Sequence, residues 1–197
     1  MKRLTQLTAL ACLAAAALPA VADAGTPRCR GKKATIVGTK HDDRIRGIKK
    51  KDVIVALGGD DRVDGRGKRD VICGNGGDDD LIGGSDHSDL IIGWLLPDYI
   101  EGGGGNDEIH GGALGDTIFG GSGDDQLWGE GGDDQLTGEA GNDTRMGGDG
   151  EDTLIGGAGK DNFDGGAPTP PEEEEKDTTD YAGNVEDGDC ADAMGCP

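Results

Sequence analysis

Large side chains are scarce in this chain of 197 residues, in which Phe, Trp and Tyr together make up 3%. So little bulk cannot fill a conventional globular core. Catalytic motifs are missing as well, because the sequence contains neither an H-E-x-x-H zinc motif nor a G-x-S-x-G nucleophile motif. The three histidines, His41, His87 and His110, are scattered and belong to no such motif. We therefore expect a protein without enzymatic activity.

Positive charge is nearly absent from the last part of the chain. Residues 74–197 contain 3 basic and 32 acidic side chains, whereas residues 25–73 contain 14 basic and 7 acidic ones. The net charge of the whole chain is −21, which disfavours binding to nucleic acid and to anionic membranes and favours the binding of cations. The basic segment 25–73 is a candidate for contact with an anionic polymer of the cell envelope.

Long apolar segments are also lacking. The apolar stretch 7–17 follows Lys2 and Arg3 and is too short to span a bilayer. Together with the A-x-A sequence at 22–24, it has the organisation of a secretory signal peptide. We expect residues 1–24 to be removed on export, which leaves an extracellular chain without a transmembrane segment.

Glycine, in contrast, is abundant, with 40 residues. Counting in nines from Gly38, with one extra residue between Gly83 and Ile92, gives fourteen consecutive units over residues 38–164. The eighth position of the unit is apolar in thirteen of them, with Arg145 as the exception. The sixth position is Asp in every unit: Asp43, Asp52, Asp61, Asp70, Asp79, Asp89, Asp98, Asp107, Asp116, Asp125, Asp134, Asp143, Asp152 and Asp161.

Each unit divides into a turn and a strand. The first six residues are Gly-rich and can turn sharply, because glycine tolerates positive φ. The last three form a short strand whose middle side chain points to one face. Two units then close one coil of 18 residues, and about seven stacked coils bring the apolar side chains together in two thin ladders. Unit i stacks on unit i+2, which sets the sixth-position carboxylates about 5 Å apart, where they repel by roughly 1–3 kcal/mol per pair. Such a stack requires a counter-ion.

The unit at 120–128, G-G-S-G-D-D-Q-L-W, matches the pattern G-G-x-G-x-D-x-U-x at every fixed position, where U is apolar. In this pattern the units resemble the RTX, or hemolysin-type, nonapeptide repeat. The resemblance implies an all-β fold, the parallel β-roll, which is a form of β-helix or solenoid. It also implies that Ca²⁺ lies between the turns of adjacent coils, held by the Asp carboxylates and by turn carbonyls.

The turns that follow the pattern best predict where calcium binds. On one side of the roll they are the stacked units that start at 56 and 74 and those that start at 129 and 147. On the other side they are the units that start at 102, 120, 138 and 156. The predicted metal-binding residues are Asp61, Asp79, Asp107, Asp125, Asp134, Asp143, Asp152 and Asp161.

Two stacked turns, in the units that start at 47 and 65, carry basic residues where Gly belongs. One hypothesis is that these side chains neutralise Asp52 and Asp70 in place of calcium. The alternative is a solvated basic face. The basic residues concerned are Lys50, Lys51, Lys68 and Arg69.

The stacked units that start at 93 and 111 replace Gly by large apolar residues, among them Trp94 and Leu114. Apolar contacts would then take the place of an ion in these turns. We interpret the residues as local packing against the one-residue insertion, with an exposed patch for a partner as the alternative.

Four cysteines, Cys29, Cys73, Cys190 and Cys196, follow the signal segment. An exported protein favours disulfides, and four cysteines allow three pairings. We favour Cys29–Cys73 with Cys190–Cys196, because each pair lies within one region; a zinc site fits these spacings poorly.

The expected organisation is a signal peptide (1–24), an N-terminal cap (25–37), the calcium-binding β-roll (38–166) and a flexible acidic linker and Cys-containing tail (167–197). We expect a secreted calcium-binding protein whose roll folds on binding Ca²⁺. The alternative is a cell-surface interaction module that uses the roll as a calcium-stabilised scaffold.

Overall fold

The computed structural model describes residues 26–165 and 178–179, which form strands and turns without any helix. An antiparallel hairpin, β1 (Arg28–Cys29) and β2 (Lys32–Lys33), precedes two parallel sheets of eight strands each. Sheet I contains β3 (Ile36–Val37), β5 (Val53–Val55), β7 (Val71–Gly76), β9 (Leu90–Leu95), β11 (Glu108–Ala113), β13 (Gln126–Gly131), β15 (Thr144–Asp149) and β17 (Asn162–Asp164). Sheet II contains β4 (Arg44–Arg46), β6 (Arg62–Asp64), β8 (Asp80–Gly84), β10 (Tyr99–Gly104), β12 (Thr117–Ser122), β14 (Gln135–Ala140), β16 (Thr153–Ala158) and β18 (Thr178–Thr179).

The chain alternates between the two sheets, so that each strand pairs with the strand two places later. Ile100 of β10 pairs with Ile118 of β12, which in turn pairs with Leu136 of β14. This spacing is 18 residues, which confirms the predicted coil and the all-β parallel roll of about seven turns. The one-residue insertion is absorbed in the turn between β8 and β9, because Ile72 still pairs with Ile91 across it.

Two aliphatic ladders, one from the inner face of each sheet, form the core. Each coil contributes one β-branched residue or Leu per sheet, except that Arg145 and Phe163 take this position in the last two strands of sheet I, and nearly all of the aliphatic side chains are fully buried. A core of this thickness needs no large aromatic side chains, which explains why the chain has so few. The buried ladder residues are Ile45, Ile54, Val63, Ile72, Leu81, Ile91, Ile100, Ile109, Ile118, Leu127, Leu136 and Leu154.

Close approach of successive coils requires glycine at the fourth position of the unit. Gly123 and Gly141 adopt φ of 130° and 148°, a backbone conformation that residues with a side chain rarely adopt. A Cβ on Gly141 would also collide with the carbonyl oxygen of Gly123, one coil earlier. The Gly-rich turns are therefore set by coil-to-coil contact as well as by turn geometry.

The N-terminal hairpin packs on the outer face of sheet I and forms a second small hydrophobic cluster there. Its Cys29 is disulfide-bonded to Cys73 of β7, as predicted. Ala34 joins the same cluster, which also contains Val53 and Val55, and this covering explains why every residue of β5 is buried. Cys190 and Cys196, like the signal segment and almost all of the predicted tail, lie outside the described residues.

The apolar turns that replace glycine in two units are exposed. Trp94, Leu95 and Leu114 each expose about half of their surface to solvent, and Leu96 is 43% exposed. The interpretation as local packing is wrong, because these side chains point away from the roll.

In the described part of the chain, no helix could cross a membrane.

We predict that replacing Cys29 and Cys73 together by Ser will lower the free energy of unfolding by about 3–4 kcal/mol, because the disulfide closes a loop over a sequence separation of 44 residues. Urea denaturation at one fixed, saturating calcium concentration measures the change. Wild-type protein kept reduced should unfold at the same lower midpoint. An unchanged midpoint in the double variant would show that the disulfide contributes nothing to stability.

Candidate metal centre

The sixth-position aspartates form two continuous ladders, one at each edge where the turns stack. In each ladder, one carboxylate oxygen, Oδ1, accepts a hydrogen bond from the backbone N–H of the Asp one coil earlier. In Asp125, for example, Oδ1 accepts from the N–H of Asp107 at 2.8 Å, and Asp143 Oδ1 accepts from the N–H of Asp125 at 2.9 Å. The first ladder runs through Asp43, Asp61, Asp79, Asp98, Asp116, Asp134 and Asp152. The second runs through Asp52, Asp70, Asp89, Asp107, Asp125, Asp143 and Asp161.

The second carboxylate oxygen, Oδ2, is buried in most of these turns and has no hydrogen-bond partner within the described residues. A buried carboxylate oxygen without a partner is strongly unfavourable, because it has lost its water and gained nothing in return. These residues expose 4% of their surface or less. The eight orphaned Oδ2 atoms belong to Asp61, Asp79, Asp98, Asp107, Asp116, Asp125, Asp134 and Asp143.

The space beside each orphaned oxygen is bounded by a second oxygen, a backbone carbonyl of the next coil. A Cβ placed on Gly120 would lie 2.5 Å from Asp125 Oδ2 and 2.9 Å from the carbonyl oxygen of Gly138. A Cβ on Gly102 would lie 2.5 Å from Asp107 Oδ2 and 2.6 Å from the carbonyl oxygen of Gly120. Glycine at the first position thus keeps open a small space between a carboxylate and a carbonyl oxygen, the ligand types that Ca²⁺ takes.

Three turns near the N-terminus differ, because their own backbone occupies the second oxygen. Thr39 donates its N–H to Asp43 Oδ2 at 2.6 Å, and Ile48 donates its N–H to Asp52 Oδ2 at 2.7 Å. In the third turn, the N–H of Gly67 lies 3.4 Å from Asp70 Oδ2. These carboxylates are satisfied without any added ion.

The basic residues of these turns do not pair with the aspartates in the way that we hypothesised. Lys68 Nζ lies 3.3 Å from His87 Nε2, and Arg69 donates to the carbonyl oxygen of Ser88. In the part of the chain that the structure describes, no ion pair joins Lys50, Lys51, Lys68 or Arg69 to Asp52 or Asp70. Backbone N–H groups, rather than ammonium or guanidinium groups, take the place predicted for the basic side chains.

Burial raises the pKa of the stacked aspartates well above the ordinary value. It raises the pKa of Asp98 to about 8 and the pKa of Asp107 to about 6. Neighbouring carboxylates of the same ladder add to the rise for Asp98, whereas the N–H that each Asp receives opposes it. Burial also raises the pKa to about 7 for Asp79, Asp89, Asp116, Asp125 and Asp134.

The fifth position of the unit carries a second, exposed ladder of polar side chains. Asp124 is exposed, and its Oδ1 accepts the N–H of Asn142 at 2.8 Å. Asn106 Oδ1 likewise accepts the N–H of Asp124 at 3.1 Å. In this ladder each side chain accepts a backbone N–H from the following coil, whereas the sixth-position Asp accepts one from the preceding coil. In the turn at 124–125 the two neighbouring aspartates therefore form hydrogen bonds to the coils on both sides.

Six of the eight predicted metal-binding residues carry an orphaned buried oxygen, namely Asp61, Asp79, Asp107, Asp125, Asp134 and Asp143. The other two differ in their surroundings. Asp152 is 1% exposed and accepts the N–H of Asp134 at 2.9 Å. Asp161, in the last described coil, is only partly buried and accepts the N–H of Asp143 at 3.0 Å.

Asp98 and Asp116 are missing from the predicted set, although their Oδ2 atoms are orphaned in the same way. Both lie in turns that have lost the Gly pattern, and we gave that loss more weight than the unbroken Asp register. The register itself was the signal that could have identified them.

The described residues contain no group of three or more His, Cys, Asp or Glu side chains gathered around one point. Each stacked pair of turns offers carboxylates from two coils together with backbone carbonyls. This arrangement suits a cation that accepts carbonyl oxygen as readily as carboxylate, and it does not suit zinc.

A family model described as the RTX calcium-binding nonapeptide repeat (4 copies) matches residues 37–72, 55–90, 97–114, 110–144 and 146–167. These matches cover more than half of the chain and coincide with the stacked turns. No curated protein and no solved structure matches the chain.

We predict that the protein in a chelator gains strand content when the pH falls from 8 towards 5.5. The folded-state pKa of the ladder aspartates lies above the unfolded value of 3.8, so the folded state binds protons more tightly. This contribution to stability is complete below about pH 4 and is lost as the pH rises to about 8. Circular dichroism in EDTA at each pH measures the strand content. Unchanged or falling strand content on acidification would contradict the prediction, and D124N, which alters an exposed carboxylate, should follow the wild type.

Proposed function

Because the chain belongs to the RTX calcium-binding nonapeptide repeat family, we propose that it is a secreted calcium-binding protein whose roll folds when Ca²⁺ binds between stacked turns. The observation that carries the proposal is the row of buried carboxylate oxygens without partners. An enzymatic role forms no part of it. Export rests on the signal-like segment 1–24 and on the disulfide between Cys29 and Cys73, which an oxidising compartment favours.

The energetic argument starts from the ladders. Two carboxylates about 5 Å apart repel by roughly 1–3 kcal/mol, and this repulsion summed over a ladder rivals the net stability of a small domain. Calcium supplies two positive charges and takes six to eight oxygen ligands. The charge of the ion then compensates the aspartates that bind it for the water that they lose on burial. We infer that the ion is what allows the coils to close.

We propose that stacked neighbours in the two ladders hold the ions. On one side the pairs include Asp61 with Asp79, and Asp134 with Asp152. On the other side they include Asp107 with Asp125, and Asp125 with Asp143. Asp98 and Asp116 are added to the predicted set because their Oδ2 atoms are orphaned in the same way. Asp161 differs from these residues, because the buried guanidinium of Arg145 lies beside it.

The expected affinity is that of an extracellular module, on the order of 10⁻⁴–10⁻³ M. Such sites are filled outside the cell, where calcium is millimolar, and empty in a cytoplasm. The chain would therefore remain open before export and close afterwards, with no further signal.

We predict that D125N will raise the calcium concentration at the folding midpoint about tenfold, since losing one charge-assisted contact costs roughly 1.5–3 kcal/mol. Asn keeps the oxygen that accepts the N–H of Asp107 and loses the negative charge. A calcium titration followed by circular dichroism gives the midpoint, and equilibrium dialysis gives the number of ions bound.

The matched control is D124N, which makes the same change one residue earlier, at an exposed position. Its midpoint should stay within about twofold of the wild type, because exposed carboxylates are well solvated and weakly coupled. Equal effects of the two variants would show that calcium responds to net charge alone. If the wild type has the same strand content in EDTA and in millimolar calcium, the proposed function fails.

A second candidate function, contact with an anionic envelope polymer, is favoured by the first coils of sheet II. Arg44 and Arg46 are exposed and make no ion pair or hydrogen bond within the described residues. With Arg62 they line an open groove of about 560 Å³ on the surface of the roll. Two unpaired guanidinium groups, side by side in one groove, suit a repeating anion.

We predict that R44Q/R46Q will weaken binding of polyphosphate, a soluble phosphate polymer, several-fold at low salt and that 0.5 M NaCl will abolish the difference. The control K49Q/K50Q removes the same charge from the neighbouring exposed turn and should bind like the wild type. Fluorescence anisotropy of labelled polyphosphate measures the binding. An equal loss in both double variants would assign the interaction to general charge rather than to the groove.

A further inference from the structure

The side chain of Arg145 lies inside the roll. It occupies the eighth position of its unit, where its neighbours in the ladder of sheet I are Leu127 and Phe163. Arg145 is 1% exposed, and its Nε and Nη1 atoms have no hydrogen-bond partner among the described residues. A guanidinium is charged at every physiological pH, so an apolar ladder here contains one full positive charge.

A buried charge of this kind costs several kcal/mol unless opposite charges compensate for it. The negative charges that act on Arg145 are those of Asp161 and Asp143, the stacked pair at the last described contact of the second ladder. The side chain also lies over the Phe163 ring, with Cζ 5.8 Å from the ring centroid. The favourable partners of Arg145 are therefore two carboxylates and one aromatic face.

The guanidinium extends towards the following coil. Nη2 lies 3.2 Å from the point where a Cβ on Gly156 would stand, and Asp161 Oδ2 lies close to the same point. At three other first-position glycines the eighth-position side chain near the Cβ point is apolar, as with Ile91 Cδ1 beside Gly83. Arg145 thus places its charge beside the space that glycine keeps open for an ion.

We propose that Arg145 is an internal counter-ion that replaces calcium between Asp143 and Asp161. The inference rests on the proposed function, because it concerns which of the stacked pairs takes an ion. Calcium binding along the second ladder then ends at Asp125 and Asp143, and the last contact closes without metal. The original prediction of a calcium site at Asp161 is revised accordingly.

The first test compares two residues of the second ladder. D107N should lose at least one bound calcium per chain, because the Oδ2 atoms of Asp107 and of its stacked neighbour Asp125 are both buried without a hydrogen-bond partner among the described residues. D161N should bind as many ions as the wild type. Equilibrium dialysis of the full mature chain against ⁴⁵Ca²⁺ measures the stoichiometry, and neither variant alters a core side chain.

The second test removes the internal cation. R145L restores the apolar pattern of Leu127 and should gain one calcium ion per chain, and R145L/D161N should lose that gain. The control K160Q removes one positive charge from an exposed position in the adjoining turn and should gain none.

The outcomes separate the two proposals. A wild type that binds no calcium overturns the proposed function. A wild type that binds calcium, while D161N loses an ion or R145L gains none, overturns the role of Arg145. If R145L does not fold, R145K keeps the charge and should retain the wild-type stoichiometry, and the comparison of D161N with D107N still decides.

Discussion

The roll depends on one carboxylate per turn that has to satisfy two demands. After the first residue of each ladder, Oδ1 of the sixth-position Asp accepts the backbone N–H of the Asp one coil earlier, which fixes the carboxylate at the stacking contact. In eight of these residues Oδ2 is buried, mostly beside a glycine, and no group among the described residues donates to it. The hydrogen bond that aligns the coils thus also buries the negative charge of the carboxylate without a compensating donor. Stacking and the need for a cation are two consequences of the same residue.

The unbroken nine-residue register was enough to predict the two sheets, the 18-residue coil and the pairing of Ile100 with Ile118, because period and stacking are linked by simple geometry. The hydrogen bond from Asp107 N–H to Asp125 could not be predicted, since it depends on the side-chain rotamer rather than on spacing. For the same reason, spacing left open whether lysines neutralise Asp52 or form a solvated basic face, whereas a backbone N–H donates to its second oxygen. Composition identifies which charged side chains are available, but it does not show which donor forms the hydrogen bond to a given carboxylate oxygen.

The N-terminal coils are stabilised by a disulfide, by apolar packing and by backbone hydrogen bonds to their carboxylates. The disulfide from Cys29 to Cys73, the hydrophobic cluster under the hairpin and the self-satisfied turns of Asp43 and Asp52 all lie within the first coils. None of these interactions requires metal. The sheet edges that they provide are a ready template for the later coils, where parallel pairing between distant residues is otherwise slow to form. Under the proposed function, we therefore expect dependence on calcium to increase along the chain, because the first coils are stabilised without it.

The last described coils of the roll differ from the first ones, because a charged side chain is buried inside them. A repeat that required calcium at every contact would leave Asp161 with a stacked carboxylate on one side only among the described residues. Asp161 is also more exposed than the earlier aspartates of the ladder, so it would bind an ion more weakly. A guanidinium carried by the chain does not dissociate when calcium is scarce, and Arg145 needs only the two carboxylates beside it to offset its own burial. An apolar residue there would pack better, but it would leave the terminal pair to an ion that is bound least tightly where the stack ends. The one break in the apolar register thus stands at the contact where a fixed charge is most useful.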